Sequence, residues 1–244
     1  MRSPGELRVL PDATAVADAL AELVAESAHS AIAQRERFAI SLAGGTTPRA
    51  AYERLAAEPY RSALPWEDVL VFFGDERCVP PEDAQSNYRM AREAFLNAVN
   101  IPERNVYRIR GEDPPEQAAA SYAADLKRVL GDRPRFDLVL LGMGADGHTA
   151  SLFPGTDPMT DSDRLVRAVY SASVQMWRIT LTPNVLNAAR CVTFAVEGSA
   201  KSAALAAVRN GADDPSTYPA QIIAPADGRL IWLADAAAAQ KSTP

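Results

Sequence analysis

Asp146 and His148 stand two residues apart inside Phe136-Asp-Leu-Val-Leu-Leu-Gly-Met-Gly-Ala-Asp-Gly-His148-Thr-Ala-Ser-Leu-Phe-Pro-Gly155. An imidazole has an ordinary pKa near neutrality, so it can take and return a proton within one turnover. Glycines at 142, 144 and 147 surround the pair, and the apolar run Leu138 to Leu141 before them reads as a strand buried on both faces. Strand, glycine loop and imidazole together put backbone N–H donors and a titratable base at one point. Thr149-Ala-Ser-Leu is read as the start of a helix.

Other chemistries fit this stretch less well. Gly142-Met-Gly-Ala-Asp-Gly147 matches G-x-G-x-x-G after a strand, the setting of a dinucleotide site. Such a site wants an acid at the end of the next strand, roughly 20 residues on. Asp161 and Asp163 precede that strand, Val169-Tyr-Ser-Ala-Ser offers no acid after it, and Asp146 would repel a pyrophosphate. A G-x-S-x-G elbow is missing. His29, the only other histidine, falls opposite the apolar face of its helix, so no zinc site of the usual kind can be completed. Cys78 and Cys191 carry no specific signal of covalent catalysis.

Three further constellations sit at strand ends. Ala43-Gly44-Gly45-Thr46-Thr47-Pro48 follows the strand Phe38–Leu42, with Thr47 read as an N-cap and Pro48 as the first helical residue. Glycines and hydroxyls before a helix N-terminus form a natural anion site, although the Gly-Lys-Ser/Thr ending of a Walker A loop is missing. Gly74-Asp75-Glu76-Arg77 follows the strand Val69–Phe73 and leads to Ser86-Asn87-Tyr88, where Ser86 caps a helix. The carboxyl ends of parallel strands are where ligands bind in open sheets. Lys201 lies in the first turn of a helix after Glu197-Gly198-Ser199; a cation there opposes the helix dipole and suggests an anion partner. Each of the three also has a plainer reading, as a turn or as an exposed side chain.

The elements that position these residues alternate between apolar strands and Ala-rich amphipathic segments. That pattern predicts an α/β fold of three layers, α/β/α, with a mainly parallel Rossmann-like sheet and helices on both faces. A helix over about 13–35 is capped by Asp12 and buries Val16, Leu20, Leu23 and Val24. Val106–Ile109 is read as a short strand, and Pro114-Pro115 opens a helix stopped by Gly131. An irregular stretch follows from Gly155 to Asp163. Val166–Tyr170 and Trp177–Leu181 pair antiparallel at one edge. Thr182-Pro183 opens a short helix, Cys191–Val196 and Leu230–Leu233 are the last strands, and Asp235 begins a short C-terminal helix. No linker divides the chain, so residues 1–244 read as one domain.

Composition limits the function classes. Among 244 residues, 48% are hydrophobic and 23% charged, ordinary for a soluble globular chain. The net charge of −6 argues against a nucleic-acid or anionic-membrane partner. No apolar run can span a bilayer, the N-terminus lacks a signal-peptide core, and 2 cysteines are too few for a disulfide framework; a cytoplasmic location is the expectation.

At this point the motifs resemble a known family. Gly142-x-Gly144-x-Asp146-Gly147-His148-Thr-Ala-Ser-Leu-Phe-Pro154 is similar to the signature of the 6-phosphogluconolactonases. So are Gly74-Asp-Glu-Arg77-x-Val-Pro80 with Ser86-Asn87-Tyr88, Ser41-Leu-Ala-Gly-Gly-Thr-Thr-Pro48, Arg178 in Arg-Ile-Thr-Leu-Thr-Pro, and Lys201 in Gly-x-x-Lys. The resemblance implies hydrolysis of 6-phospho-D-glucono-1,5-lactone without metal or cofactor. It implies His148 as the base for water, and Asp146 or Glu76 as the group that orients it. The glycine loop, with Gly144 and Gly147, would supply oxyanion donors. Gly44, Gly45, Thr46, Thr47, Asp75, Arg77, Asn87, Arg178 and Lys201 would bind the sugar phosphate. The implied state is a monomer or homodimer. The related glucosamine-6-phosphate deaminases continue their histidine loop with Ile-Ala-Phe-Asn-Glu-Pro; here Thr149-Ala-Ser-Leu-Phe-Pro154 has no glutamate, which favours the lactonase. A non-catalytic sugar-phosphate sensor would carry an added helix-turn-helix, for which this chain has no room.

Overall fold

The computed structural model describes residues 4–156 and 163–240. In chain order the elements are β1 (Glu6–Leu10), α1 (Ala13–Arg35), β2 (Phe38–Leu42), α2 (Thr46–Leu55), α3 (Tyr60–Ala63), β3 (Val69–Phe73), β4 (Asp75–Arg77), α4 (Asn87–Ala91), α5 (Pro115–Leu130) and β5 (Leu138–Gly142). They continue with β6 (Val166–Ser171), β7 (Met176–Leu181), α6 (Pro183–Asn187), β8 (Cys191–Val196), α7 (Ser202–Asn210), β9 (Arg229–Asp235) and α8 (Ala236–Ala239).

Six strands form a parallel sheet in the order β1-β9-β8-β5-β2-β3. Every residue of β2 and β8 is buried, so both faces of the sheet are covered by helices. The chain moves outward from β2 to β3 on one side and from β5 through β8 to β9 on the other. The direction of winding therefore reverses between β2 and β5, where Ile40 lies beside Leu138 and Ser41 beside Val139. A crevice opens at the carboxyl ends of strands at such a switch point. A small antiparallel sheet, β4-β7-β6, stands beside that end.

Two buried tyrosines fix the rim of the crevice. Tyr52 of α2 donates its hydroxyl to the Ala43 carbonyl at 2.9 Å and accepts from the Ala43 N–H at 3.0 Å. Tyr122 of α5 does the same for Phe73, at 2.9 and 2.7 Å. Both phenols are pushed up by burial, with the backbone bond opposing, so each stays protonated and can donate.

The sequence reading needs several corrections. Glu6–Leu10 is a strand, the edge partner of β9. Val106–Ile109 is not one: it makes a single bridge, Val71 to Val106. The antiparallel pair β6–β7 does not extend the main sheet but joins β4 in the second one, so Asp75–Arg77 is strand rather than turn. Helix α2 begins at Thr46, with Gly45 rather than Thr47 at its N-cap. Thr149–Leu152 is a tight turn closed by its own bridge, with Ala150 at φ +47°, not the start of a helix. Asp161 and most of the irregular stretch expected over 155–163 lie outside the described residues. No helix among the described residues is long and apolar enough to cross a membrane.

Candidate active site

A cavity of about 280 Å³ lies at the carboxyl ends of β2, β3, β5 and β8. Its wall joins four segments: the turn into α2 (Gly44, Gly45, Thr46, Thr47), the start of β4 with Asn87 (Asp75, Arg77), the histidine loop (Gly144, His148), and Lys201 ahead of α7. The second-sheet residue Arg178, the loop residues Asp146 and Gly147, and Glu76 lie outside this wall.

The turn into α2 exposes backbone donors because of its geometry. Gly45 sits at φ +104° in the N-cap position and offers no side chain to bond the first-turn N–H groups. Those groups are among the four that no helix can satisfy internally, and they mark an anion site.

The histidine loop is closed by hydrogen bonds of its own. The Gly144 N–H donates to the His148 carbonyl at 2.9 Å and the Gly147 N–H to the Gly144 carbonyl at 3.0 Å. The Thr149 hydroxyl reaches back to the Gly142 carbonyl at 2.8 Å. The Gly147 carbonyl takes the Ala220 N–H at 2.9 Å, fastening the loop from behind. Asp146 Oδ1 lies 2.6 Å from His148 Nδ1 and also accepts the His148 backbone N–H at 3.1 Å. Gly144 leaves room for this pair: a Cβ there would stand 2.2 Å from Nδ1 and 2.4 Å from Oδ1. Phe153 covers the imidazole, with ring centroids 5.1 Å apart.

Electrostatics set the tautomer. Burial raises the Asp146 pKa, but the backbone N–H and the imidazole of His148 outweigh it and hold the carboxyl below the usual range. An ionised carboxylate only accepts, so in the neutral imidazole Nδ1 carries the proton and Nε2 keeps the free lone pair.

Glu76 does something different. It is 2% exposed. Oε1 accepts the N–H groups of Arg77 and Asn87 at 2.8 and 2.7 Å, and Oε2 accepts Tyr88 N–H at 2.8 Å and Ser86 Oγ at 3.0 Å. Burial, opposed by these N–H bonds, pushes its pKa up. Glu76 therefore anchors the start of α4 and makes no contact with His148 among its described bonds. Of the two carboxylates left open by the sequence, Asp146 is the one bonded to the imidazole.

Asp75 takes the Ser151 hydroxyl on Oδ2 at 2.8 Å and the Asn87 amide on Oδ1 at 3.3 Å, which joins the histidine loop to β4. Asn87 also donates to the Asp75 carbonyl at 2.9 Å, and its buried Oδ1 has no partner among the described residues. Arg77 and Arg178 stand opposite each other in the β4–β7 register. Arg77 gives Nη1 to the Gln85 carbonyl at 2.6 Å, while the buried Nε of each arginine has no partner among the described residues. Burial lowers the Arg178 pKa, and the Arg77 charge adds to that. Burial likewise lowers Lys201, with Glu197 and Asp235 opposing. Crowded, desolvated cations of this kind fit an anionic ligand.

Sequence reasoning missed Ser151, whose contact with Asp75 spans 76 residues of sequence, and the two tyrosine clamps. Among the described residues no three His, Cys, Asp or Glu side chains gather as a metal ligand set.

Residues 11–232 match the family model described as glucosamine-6-phosphate isomerases/6-phosphogluconolactonase. A 6-phosphogluconolactonase of Synechocystis sp. is 45% identical over 219 residues, 88% of each chain. One of Nostoc sp. is 42% identical over 237 residues, covering 95% of this chain and 96% of the relative. The solved 6-phosphogluconolactonase from Trypanosoma cruzi superposes with a TM-score of 0.88 at 28% identity, over 100% of this chain and 99% of that one. The chain belongs to the glucosamine-6-phosphate isomerase/6-phosphogluconolactonase family.

Proposed function

We propose that the protein hydrolyses 6-phospho-D-glucono-1,5-lactone to 6-phosphogluconate by histidine-assisted attack of water. The chain is an enzyme of the carboxylic ester hydrolase class, in line with relatives named 6-phosphogluconolactonase. The observation that carries the finer reading is the 2.6 Å Asp146–His148 pair on a cavity whose wall also holds Arg77 and Lys201.

A lactone is already an activated ester, so the reaction can run without a covalent enzyme intermediate or a Lewis acid. Nε2 of His148 takes a proton from water as its oxygen bonds to C1. The carbonyl becomes a tetrahedral oxyanion; the Gly144 and Gly147 N–H groups are already bonded within the loop, so its donors in this reading are other backbone N–H groups lining the cavity. Asp146 stabilises the imidazolium meanwhile. The C1–ring oxygen bond then breaks, and the ring oxygen takes the proton from Nε2. The free acid ionises and releases one proton to solvent. The helix α2 turn, Arg77, Arg178 and Lys201 hold the phosphate and hydroxyls in this reading, with Asp75 and Asn87 beside them. A cytoplasmic monomer or homodimer, without nucleic-acid or membrane partners, belongs to the same reading.

The test is proton release from freshly made lactone, measured above spontaneous hydrolysis. His148→Ala should lower kcat by about 10²–10⁴-fold, the usual worth of general-base assistance. Near-normal kcat in a folded His148→Ala protein would overturn the mechanism. Ammonia release from glucosamine 6-phosphate, with no effect on the lactone, would overturn the reaction itself.

A further inference from the structure

We propose a second anion site, at the opposite end of the sheet, that takes a small phosphate-bearing molecule without an aromatic ring. A cleft of about 390 Å³ lies where Asp137 precedes β5, Arg190 precedes β8 and Arg229 begins β9. β5 separates it from the active-site cavity by four residue steps, roughly 13 Å at strand rise. Neither pocket shares a lining residue with the other.

Four guanidiniums, of Arg35, Arg135, Arg190 and Arg229, face three carboxylates, of Glu26, Asp137 and Asp227. The carboxylates do not use up the donors. Asp137, only 10% exposed, receives Arg35 at 2.9 Å and Arg190 at 3.4 Å on the same oxygen, while its other oxygen takes the Ala39 N–H at 2.9 Å. Arg190 has no closer acceptor than that 3.4 Å contact among the described residues, and its side chain is 43% exposed. Among the described residues Arg229 reaches only Glu6, at 3.6 Å. Arg135 gives one Nη2 bond to Asp227 at 3.1 Å, and its buried Nε has no partner among the described residues. Each guanidinium carries five N–H donors in a fixed fork suited to phosphate, so the cleft holds a surplus of matched donors. A buried donor left without a partner calls for a ligand or water to meet it.

The rest of the wall narrows the ligand. On α1, Gln34 gives its amide to Ser30 Oγ at 2.9 Å and takes Arg35 Nη1 at 2.9 Å, which leaves the hydroxyls of Ser27 and Ser30 as donors, and Glu26 beside them can accept from a hydroxyl. No aromatic side chain lines the cleft, so a nucleobase has nothing to stack on. Glu26 and Asp227 would repel an extended polyanion such as nucleic acid. A phosphorylated polyol meets both the forks and the hydroxyl wall.

The experiment is calorimetric titration of the full chain with inorganic phosphate and with ribose 5-phosphate, at constant ionic strength. Wild type should bind two molecules per chain. Arg135→Gln/Arg190→Gln should weaken one of the two sites by at least about tenfold, the scale of losing charge-assisted hydrogen bonds. Its kcat and KM for the lactone should stay as in wild type. Lys201→Gln should leave that second site intact. Arg190→Gln alone, at a half-exposed position, serves if the double variant does not fold, with an expected loss of about threefold for part of the same bonding. Binding in wild type that the arginine variants leave undisturbed, whether at one site or two, would refute the proposal. A wild-type protein that binds at the second site but does not hydrolyse the lactone would count only against the reading of the active site.

Discussion

One oxygen of Asp146 serves two donors of the same residue: the His148 backbone N–H at 3.1 Å and its ring Nδ1 at 2.6 Å. The aspartate thus fixes the imidazole's position and its tautomer at once: the backbone bond holds the carboxylate in place, and the ring cannot turn without losing its Nδ1 bond.

Asp146→Asn should lower kcat at least about tenfold, the equivalent of a single pKa unit of lost imidazolium stabilisation, with KM little changed. Stopped-flow proton release would measure it, and an unchanged kcat would show that Asp146 is only a loop residue. The folded-state pKa of Asp146 is depressed. Its contribution to stability is therefore present above the unfolded aspartate value near about 3.9 and is lost as pH falls through the lower folded value. Asp146→Asn should accordingly flatten the stability–pH curve below about pH 4, read by thermal melts across that range.

Gly144→Ala places a Cβ 2.2 Å from Nδ1 of His148 and 2.4 Å from Oδ1 of Asp146. Both side chains are partly exposed and can move aside, so the fold should survive while the pair separates. The expected result is a kcat close to that of His148→Ala with Tm nearly unchanged. A fully active Gly144→Ala enzyme would mean that the pair is not needed for turnover.

Glu76→Gln removes a carboxylate that accepts from three backbone N–H groups and a hydroxyl. The new amide N–H₂ would face donors. A loss of at least about 3 kcal/mol is expected, because hydrogen bonds to a buried charged group are worth roughly 1.5–3 kcal/mol each. Urea unfolding followed by circular dichroism measures it, and a loss under 1 kcal/mol would mean the N–H groups find other acceptors.

Lys201→Ala should raise KM more than it lowers kcat, since a group that binds phosphate equally in ground and transition states acts on KM. An unchanged KM would remove Lys201 from the substrate site.

Local signals in the sequence carried much of this architecture. Asp12 caps α1 as its position before the apolar face requires, and Oδ1 accepts the Ala15 N–H at 2.9 Å. Fully buried strands such as β8, apolar but for Thr193, identified themselves. β1 did not, because Glu6 and Arg8 interrupt an edge strand whose partner β9 lies at the other end of the chain. Thr149–Leu152 looked helix-competent, but the bond from Thr149 Oγ1 to the Gly142 carbonyl and the bridge to Leu152 bind it into a turn. At the site, residue types pointed to His148 and its neighbours. The choice between Asp146 and Glu76 rested on which carboxylate the fold had already occupied, and Glu76 meets its partners only once α4 docks beside β4. Arg178 shows the same limit: its place opposite Arg77 comes from strand register, which no short motif encodes.

The tyrosine clamps on Ala43 and Phe73 have a consequence for how the protein breathes. Strand ends normally fray first, exchanging their amide protons by small local openings. Here each terminal amide is held by a hydroxyl from a packed helix, so it can open only if α2 or α5 lifts away. The rim of the crevice therefore shares its protection with the core, and its shape persists through the fluctuations that loosen ordinary strand ends.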